Sequence, residues 1–80
     1  MKQIGEVKDY FSHVEVAAVK LSGVLKLGDK IKIIGGNTDF EQIIESMQIN
    51  KQAVEKAKKG DEVGIKITEK ARKGYKVYKI

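Results

Sequence analysis

Residues 23–33 read Gly-Val-Leu-Lys-Leu-Gly-Asp-Lys-Ile-Lys-Ile, a tight turn running straight into a strand. Gly28-Asp29 supplies the positive φ and the side-chain acceptor that a turn needs. Beyond it Ile31 and Ile33 alternate with Lys30 and Lys32, so one face is apolar and the other charged. The glycine spacing in 23–29 is that of a phosphate-binding P-loop. The Lys-Ser/Thr pair that should follow the second glycine is missing, however, and leucines occupy a loop interior that would have to wrap an anion. The stretch is a turn leading into a β-strand.

The same grammar recurs along the rest of the chain. Gly35-Gly36-Asn37, Gly60-Asp61 and Lys73-Gly74 mark further turns. Between them lie strand-like segments: Ile4–Phe11, Val14–Leu21, 29–33, 43–49, 62–67 and Tyr75–Ile80. Ala17, Val19 and Leu21 alternate with Ala18 and Lys20; Val63, Ile65 and Ile67 alternate with Gly64 and Lys66. The 43–49 segment is less regular, because Ile44 falls on the face opposite Ile43 and Glu45. Six short strands at this spacing predict an all-β fold, a small closed and mostly antiparallel six-stranded barrel, since closure removes edges that a small sheet cannot otherwise protect. Asn50–Lys59, with Asn50 able to cap and Gly60 able to terminate, is the one helix-like stretch. Its apolar content is only Ala53, Val54 and Ala57, which predicts a 3₁₀ or irregular crossover with Val54 and Ala57 tucked inward.

Eighty residues predict a single domain, 1–80, near the lower size limit for unaided folding. There is no cysteine, hence neither a disulfide framework nor a thiolate metal site. No apolar signal segment opens the chain and no run approaches transmembrane length, so the expectation is a soluble, cytoplasmic protein without membrane contact. The net charge of +5 is unevenly spread: residues 1–50 carry six basic and seven acidic groups, residues 51–80 ten basic and four acidic. A basic second part predicts a face for a polyanion, although Lys also keeps a small sheet soluble and blunts its edges. Fifteen of the sixteen cations are Lys, point charges better suited to tracking phosphates than to reading bases.

No catalytic constellation stands out. Asp9, Ser12 and His13 contain the residue types of a triad, but groups so close on a strand end and its turn rarely reach triad geometry. One histidine and scattered carboxylates do not make a metal site. The expectation is therefore a binding module that is not an enzyme and needs no cofactor. Tyr75 and Tyr78, among Lys73, Lys76 and Lys79, come nearest to an aromatic and basic platform for single-stranded nucleic acid, and are also of a size to fill a core or seal its rim.

Four segments, in order, resemble the second domain of the translational GTPases, the β-barrel of elongation factor Tu and initiation factor two. Gly23–Ile33 is similar to its "G-x-L-K-x-G-D-x-I-x-I", Ile44–Ile49 to its "V-x-S-I-x" strand, Ala57–Ile65 to its "A-x-x-G-D-x-V-G-I" and Arg72–Val77 to its closing "R-x-G-x-x-V". Similar barrels also stand alone as translation elongation factor-like proteins, which an end straight after the last strand would match, and form the C-terminal domain of collagenase-like peptidases. The resemblance implies a translation-type barrel. There is no GTPase domain and so no GTP binding, and the family's early "G-R-G-T-V" is replaced by Ser12-His13-Val14-Glu15-Val16-Ala17. It implies RNA or ribonucleoprotein, tRNA or ribosomal RNA, as partner. The position of the family's tRNA-facing glutamate corresponds to Gln48. The candidate contacts are Gln48, Lys51, Lys56, Lys58, Lys59, Lys70, Arg72, Lys73, Tyr75, Lys76, Tyr78 and Lys79. The alternative expectation is an accessory barrel that docks onto an enzyme or translation factor through an apolar patch.

Overall fold

Alternating short strands can bury their apolar faces only by curling a sheet around them, and the chain does so. The computed structural model describes residues 1–80. Ten strands follow in order: β1 (Lys2–Phe11), β2 (Val16–Leu21), β3 (Leu25–Lys26), β4 (Lys30–Gly35), β5 (Thr38–Ile43), β6 (Met47–Ile49), β7 (Gln52–Val54), β8 (Lys56–Ala57), β9 (Glu62–Lys66) and β10 (Lys76–Lys79). Eight form one sheet in the order β5-β4-β10-β1-β2-β9-β6-β7, and β3 pairs with β8 as a separate ribbon. Every pairing is antiparallel.

The all-β, antiparallel expectation holds. Closure into a six-stranded barrel does not: β5 and β7 are the ends of the sheet and no backbone ladder joins them. The physical reason lies in the chain between them. Irregular residues 44–46 separate β5 from β6, and the stretch from 50 to 59 spends its hydrogen-bonding capacity on a hairpin and on the β3–β8 ribbon. One side chain reaches across instead. The Gln42 carboxamide donates to the Lys66 carbonyl (2.9 Å) and accepts from the Thr68 N–H (2.8 Å), as a strand partner would.

The expected crossover at 50–59 is corrected to a β-hairpin. Ile49 pairs with Gln52, and the two residues between, Asn50 (φ 52°) and Lys51 (φ 66°), are both left-handed, the signature of a type I′ turn whose twist matches the strands it joins. Val54 packs against the core and Ala57 is buried in it.

Seventeen buried residues, all apolar, form one cluster that includes Val7, Val19, Ile31, Ile33, Ile65 and Val77. Ile31 and Ile33 are fully inside while Lys30 and Lys32 face out, as the alternation requires. Two Gly-Asp turns share one design. Asp29 N–H donates to the Lys26 carbonyl while its carboxylate accepts from the Lys26 N–H, and Asp61 repeats both bonds with Lys58. Gly28 and Gly60 sit at φ 90° and 94° in the third turn position, where type II turns demand it. Both turns lie at the end of the sheet where the two chain ends also meet, since Lys2 pairs with Lys79. We call this the lower end. The β1–β2, β4–β5 and β9–β10 connections form the upper end.

Candidate functional site

The three upper connections enclose the largest hollow of the molecule, an open cavity of about 670 Å³. Each connection brings its residues there for a local reason. Tyr10 and Ser12 come from the end of β1 and its turn. Gly36 and Asn37 form the two-residue link between β4 and β5, with Gly36 at φ 52°, and Thr38 opens β5. Lys70, Ala71, Arg72 and Tyr75 come from the long β9–β10 connection. That connection is pinned twice. Ala71 is buried in the core, which leaves its neighbours Lys70 and Arg72 outside. The Arg72 carbonyl accepts from the Tyr75 N–H (3.1 Å) across Gly74 at φ 96°, and Gly74 and Tyr75 bond both ways to Val7 (2.8 Å each).

Tyr75 immediately precedes β10 and lies on the same side as its buried Val77. Its ring lies flat on Gly35: a Cβ at that position would be 2.1 Å from the Tyr75 Cδ1. Only glycine lets the ring rest there, so the Gly35-Gly36 pair serves packing as well as turning.

The candidate contact residues do not share a surface. Lys70, Arg72, Lys73 and Tyr75 stand at the upper end. Lys58 and Lys59 sit in the Gly60 turn at the lower end, with Lys56 on β8 nearby. Gln48 and Lys51 border a separate depression beside Glu62 on the flank of β9. Lys76 and Tyr78 point outward from the middle of the sheet. Two of the lysines are already neutralised: Lys76 pairs with Glu6 (3.4 Å) and Lys79 with Asp29 (3.2 Å). Lys76, followed by Lys8, in turn holds the Glu6 carboxyl below its ordinary value of 4.5. Lys70 and Arg72, by contrast, have no carboxylate within salt-bridge distance.

Nothing in the sequence links Tyr10, Ser12, Asn37 and Thr38 to one another as lining residues, because the cavity exists only where three connections far apart in the chain converge. His13, Asp9 and Ser12 form no hydrogen bonds with one another; the Asp9 carboxylate instead accepts from the Tyr10 N–H. No three His, Cys, Asp or Glu side chains are grouped so as to hold a metal ion, and no helix is long and apolar enough to cross a membrane.

No family model matches the chain. It is 46% identical over 77 residues, 95% of its length, to an uncharacterized protease of Methanocaldococcus jannaschii, and 38% identical over 78 residues to a collagenase of Porphyromonas gingivalis. It spans about a fifth of the length of these curated relatives. Among solved structures, the C-terminal domain of a putative U32 peptidase of Geobacillus thermoleovorans has the same fold, with a TM-score of 0.93 at 18% identity over 98% of this chain and 99% of that one.

These findings correct the expected function. The relatives are named protease and collagenase, not translation factors. That overturns the elongation-factor reading, the RNA-binding role and the tRNA or ribosome partner. The expectation that the chain is not an enzyme is corrected by the same names, since its sequence recurs as a part of proteins named for enzymatic activity. The misreading has a physical source. The quoted motifs consist of Gly-Asp turns and alternating aliphatic residues. Asp29 and Asp61 show that these residues serve the backbone of the fold, so they carry topology and not a ligand.

Proposed function

We propose that this chain is the C-terminal accessory domain of an enzyme of the U32 peptidase type, and that it works by docking onto the remainder of such an enzyme. The observation that carries this reading is the 46% identity over 95% of the chain with a protein of which the chain accounts for about a fifth. The peptidase chemistry is assigned to the other four fifths or so of such a chain. Residues 1–80 act as one domain around one core. The curled sheet acts as a barrel whose seam is held by the Gln42 bridge, and the cysteine-free, lysine-rich composition fits a cytoplasmic setting.

The docking face is the lower end. Five of the seven large apolar side chains that remain exposed gather there: Met1, Val24, Leu27, Ile43 and Ile80. They are neighbours through the backbone, since Ile80 N–H donates to the Lys30 carbonyl, Lys30 pairs with Ile43, and Gly28 N–H donates to the Ile44 carbonyl. Scattered exposed apolar residues mean little, but a group gathered at one end of the sheet is placed for contact with another protein surface.

The test is to produce the M. jannaschii relative without its matching segment and mix it with this chain. Size-exclusion chromatography should show a complex that survives high salt, as apolar contacts do, and Ile43→Glu should abolish it. If no complex forms with the folded remainder at high micromolar concentration, or if Ile43→Glu binds as well as the parent, docking through this face is wrong.

A further inference from the structure

The upper cavity lies at the end opposite the docking face, so a domain docked through its lower end would leave it open. Its lining has an unusual chemical balance. It holds no acidic side chain and two cations, Lys70 and Arg72, without a carboxylate partner. The two tyrosines contribute aromatic surface. The side chains of Ser12, Asn37 and Thr38 make no hydrogen bond within the protein. The salt-bridged lysines lie elsewhere, so this is where unspent positive charge meets unspent hydrogen-bonding groups.

We propose that this cavity binds a short acidic peptide segment. Arg72, whose guanidinium can fork onto a carboxylate, and Lys70 take the acidic side chain. The tyrosines cover its aliphatic stem and the adjoining peptide plane. The carboxamide of Asn37 and the hydroxyls of Ser12 and Thr38 both donate and accept, which matches the alternating N–H and C=O groups of a main chain. A bare phosphate could use the cations and the hydrogen-bonding groups but has no aliphatic stem or peptide plane for Tyr10 and Tyr75 to cover, which is why peptide is the favoured class. Pinning of the connection by Ala71 and by the Val7 bonds fixes the backbone at Arg72 before any ligand arrives, so the ordering cost of binding falls on the side chains.

The experiment is an NMR titration of the ¹⁵N-labelled 80-residue chain at low salt with three probes: acetyl-Asp-Glu-Asp-Glu-amide, its uncharged isostere acetyl-Asn-Gln-Asn-Gln-amide, and inorganic phosphate. The acidic peptide is expected to move the amides of residues 10–12, 36–38 and 70–75, while the isostere and phosphate leave them in place at the same concentration. Arg72→Gln, at an exposed position whose loss leaves the remaining spectrum intact, should weaken the peptide ~10-fold, the scale of one charge-assisted pair. Lys58→Gln at the lower end should not weaken it. The proposal is overturned if the isostere shifts the same amides equally, if phosphate alone reproduces the pattern, or if Lys58→Gln weakens binding as much as Arg72→Gln. None of these readouts depends on docking to an enzyme, so the two readings fail separately.

Discussion

Gly35→Ala should destabilise the protein by about 1–2 kcal/mol, and it should do so only while Tyr75 is present. An added Cβ would meet Tyr75 Cδ1 at 2.1 Å, Cγ at 2.4 Å and Cε1 at 2.7 Å. Carbon atoms rest at about 3.5–4.0 Å, so the ring must retreat by roughly 1.5 Å. Overpacking of this kind costs about 1–3 kcal/mol. The open cavity beside the ring gives it somewhere to go, which holds the cost near the middle of that range, about 2 kcal/mol. Alanine itself fits the backbone, since Gly35 is not among the residues with positive φ, and its smaller unfolded-state entropy returns about 0.4–1 kcal/mol. The net loss corresponds to a fall in Tm of roughly 4–16 °C for a domain of this size. The assay is urea unfolding followed by far-UV circular dichroism, for the parent, Gly35→Ala, Tyr75→Ala and the double variant. In the Tyr75→Ala background, Gly35→Ala should be neutral or slightly stabilising, giving a coupling energy of about 2 kcal/mol. If it costs the same in both backgrounds, the ring is not what glycine accommodates, and the account of the upper end is wrong.

Lys51→Gly should stabilise the protein by about 0.5–1 kcal/mol, because lysine sits at φ 66° in the β6–β7 turn where glycine carries no steric penalty; an unchanged or lower Tm would contradict the type I′ assignment. Gln42→Ala should cost about 1–2 kcal/mol for its two main-chain hydrogen bonds, and faster hydrogen exchange confined to Thr68 and its neighbours would identify the seam as the cause. Glu6 titrates below its ordinary 4.5 in the folded chain because of Lys76 and Lys8, so its contribution is fully present above that value and is lost as pH falls through the lowered folded value. Comparison of Tm against pH for the parent and Glu6→Gln should show a small gap near neutrality that narrows on acidification below about pH 4.5 and is reduced by salt; a gap that grows in acid would reverse the assigned sign.

How much was legible in the sequence depends on the distance over which each feature is encoded. The strand at 29–33, the Gly28-Asp29 and Gly60-Asp61 turns and the burial of Ile31, Ile33, Val63 and Ile65 could all be read directly, because alternation and turn chemistry are set within four or five residues. The hairpin at Asn50-Lys51 was not. Its apolar residues are too few for a period, and a cap-like Asn is equally a residue that tolerates left-handed backbone. Alternation, turn chemistry and composition suffice for an antiparallel all-β chain with a basic second part. The tertiary structure alone decided which of its cations are free. Glu6 neutralises Lys76 and Asp29 neutralises Lys79 across pairings of 70 and 50 residues, whereas Lys70 and Arg72 are brought beside Tyr10 and Asn37 with no carboxylate among them. Charge adds up along a chain, but its availability depends on what folding places within a few ångströms, and no local pattern carries that information.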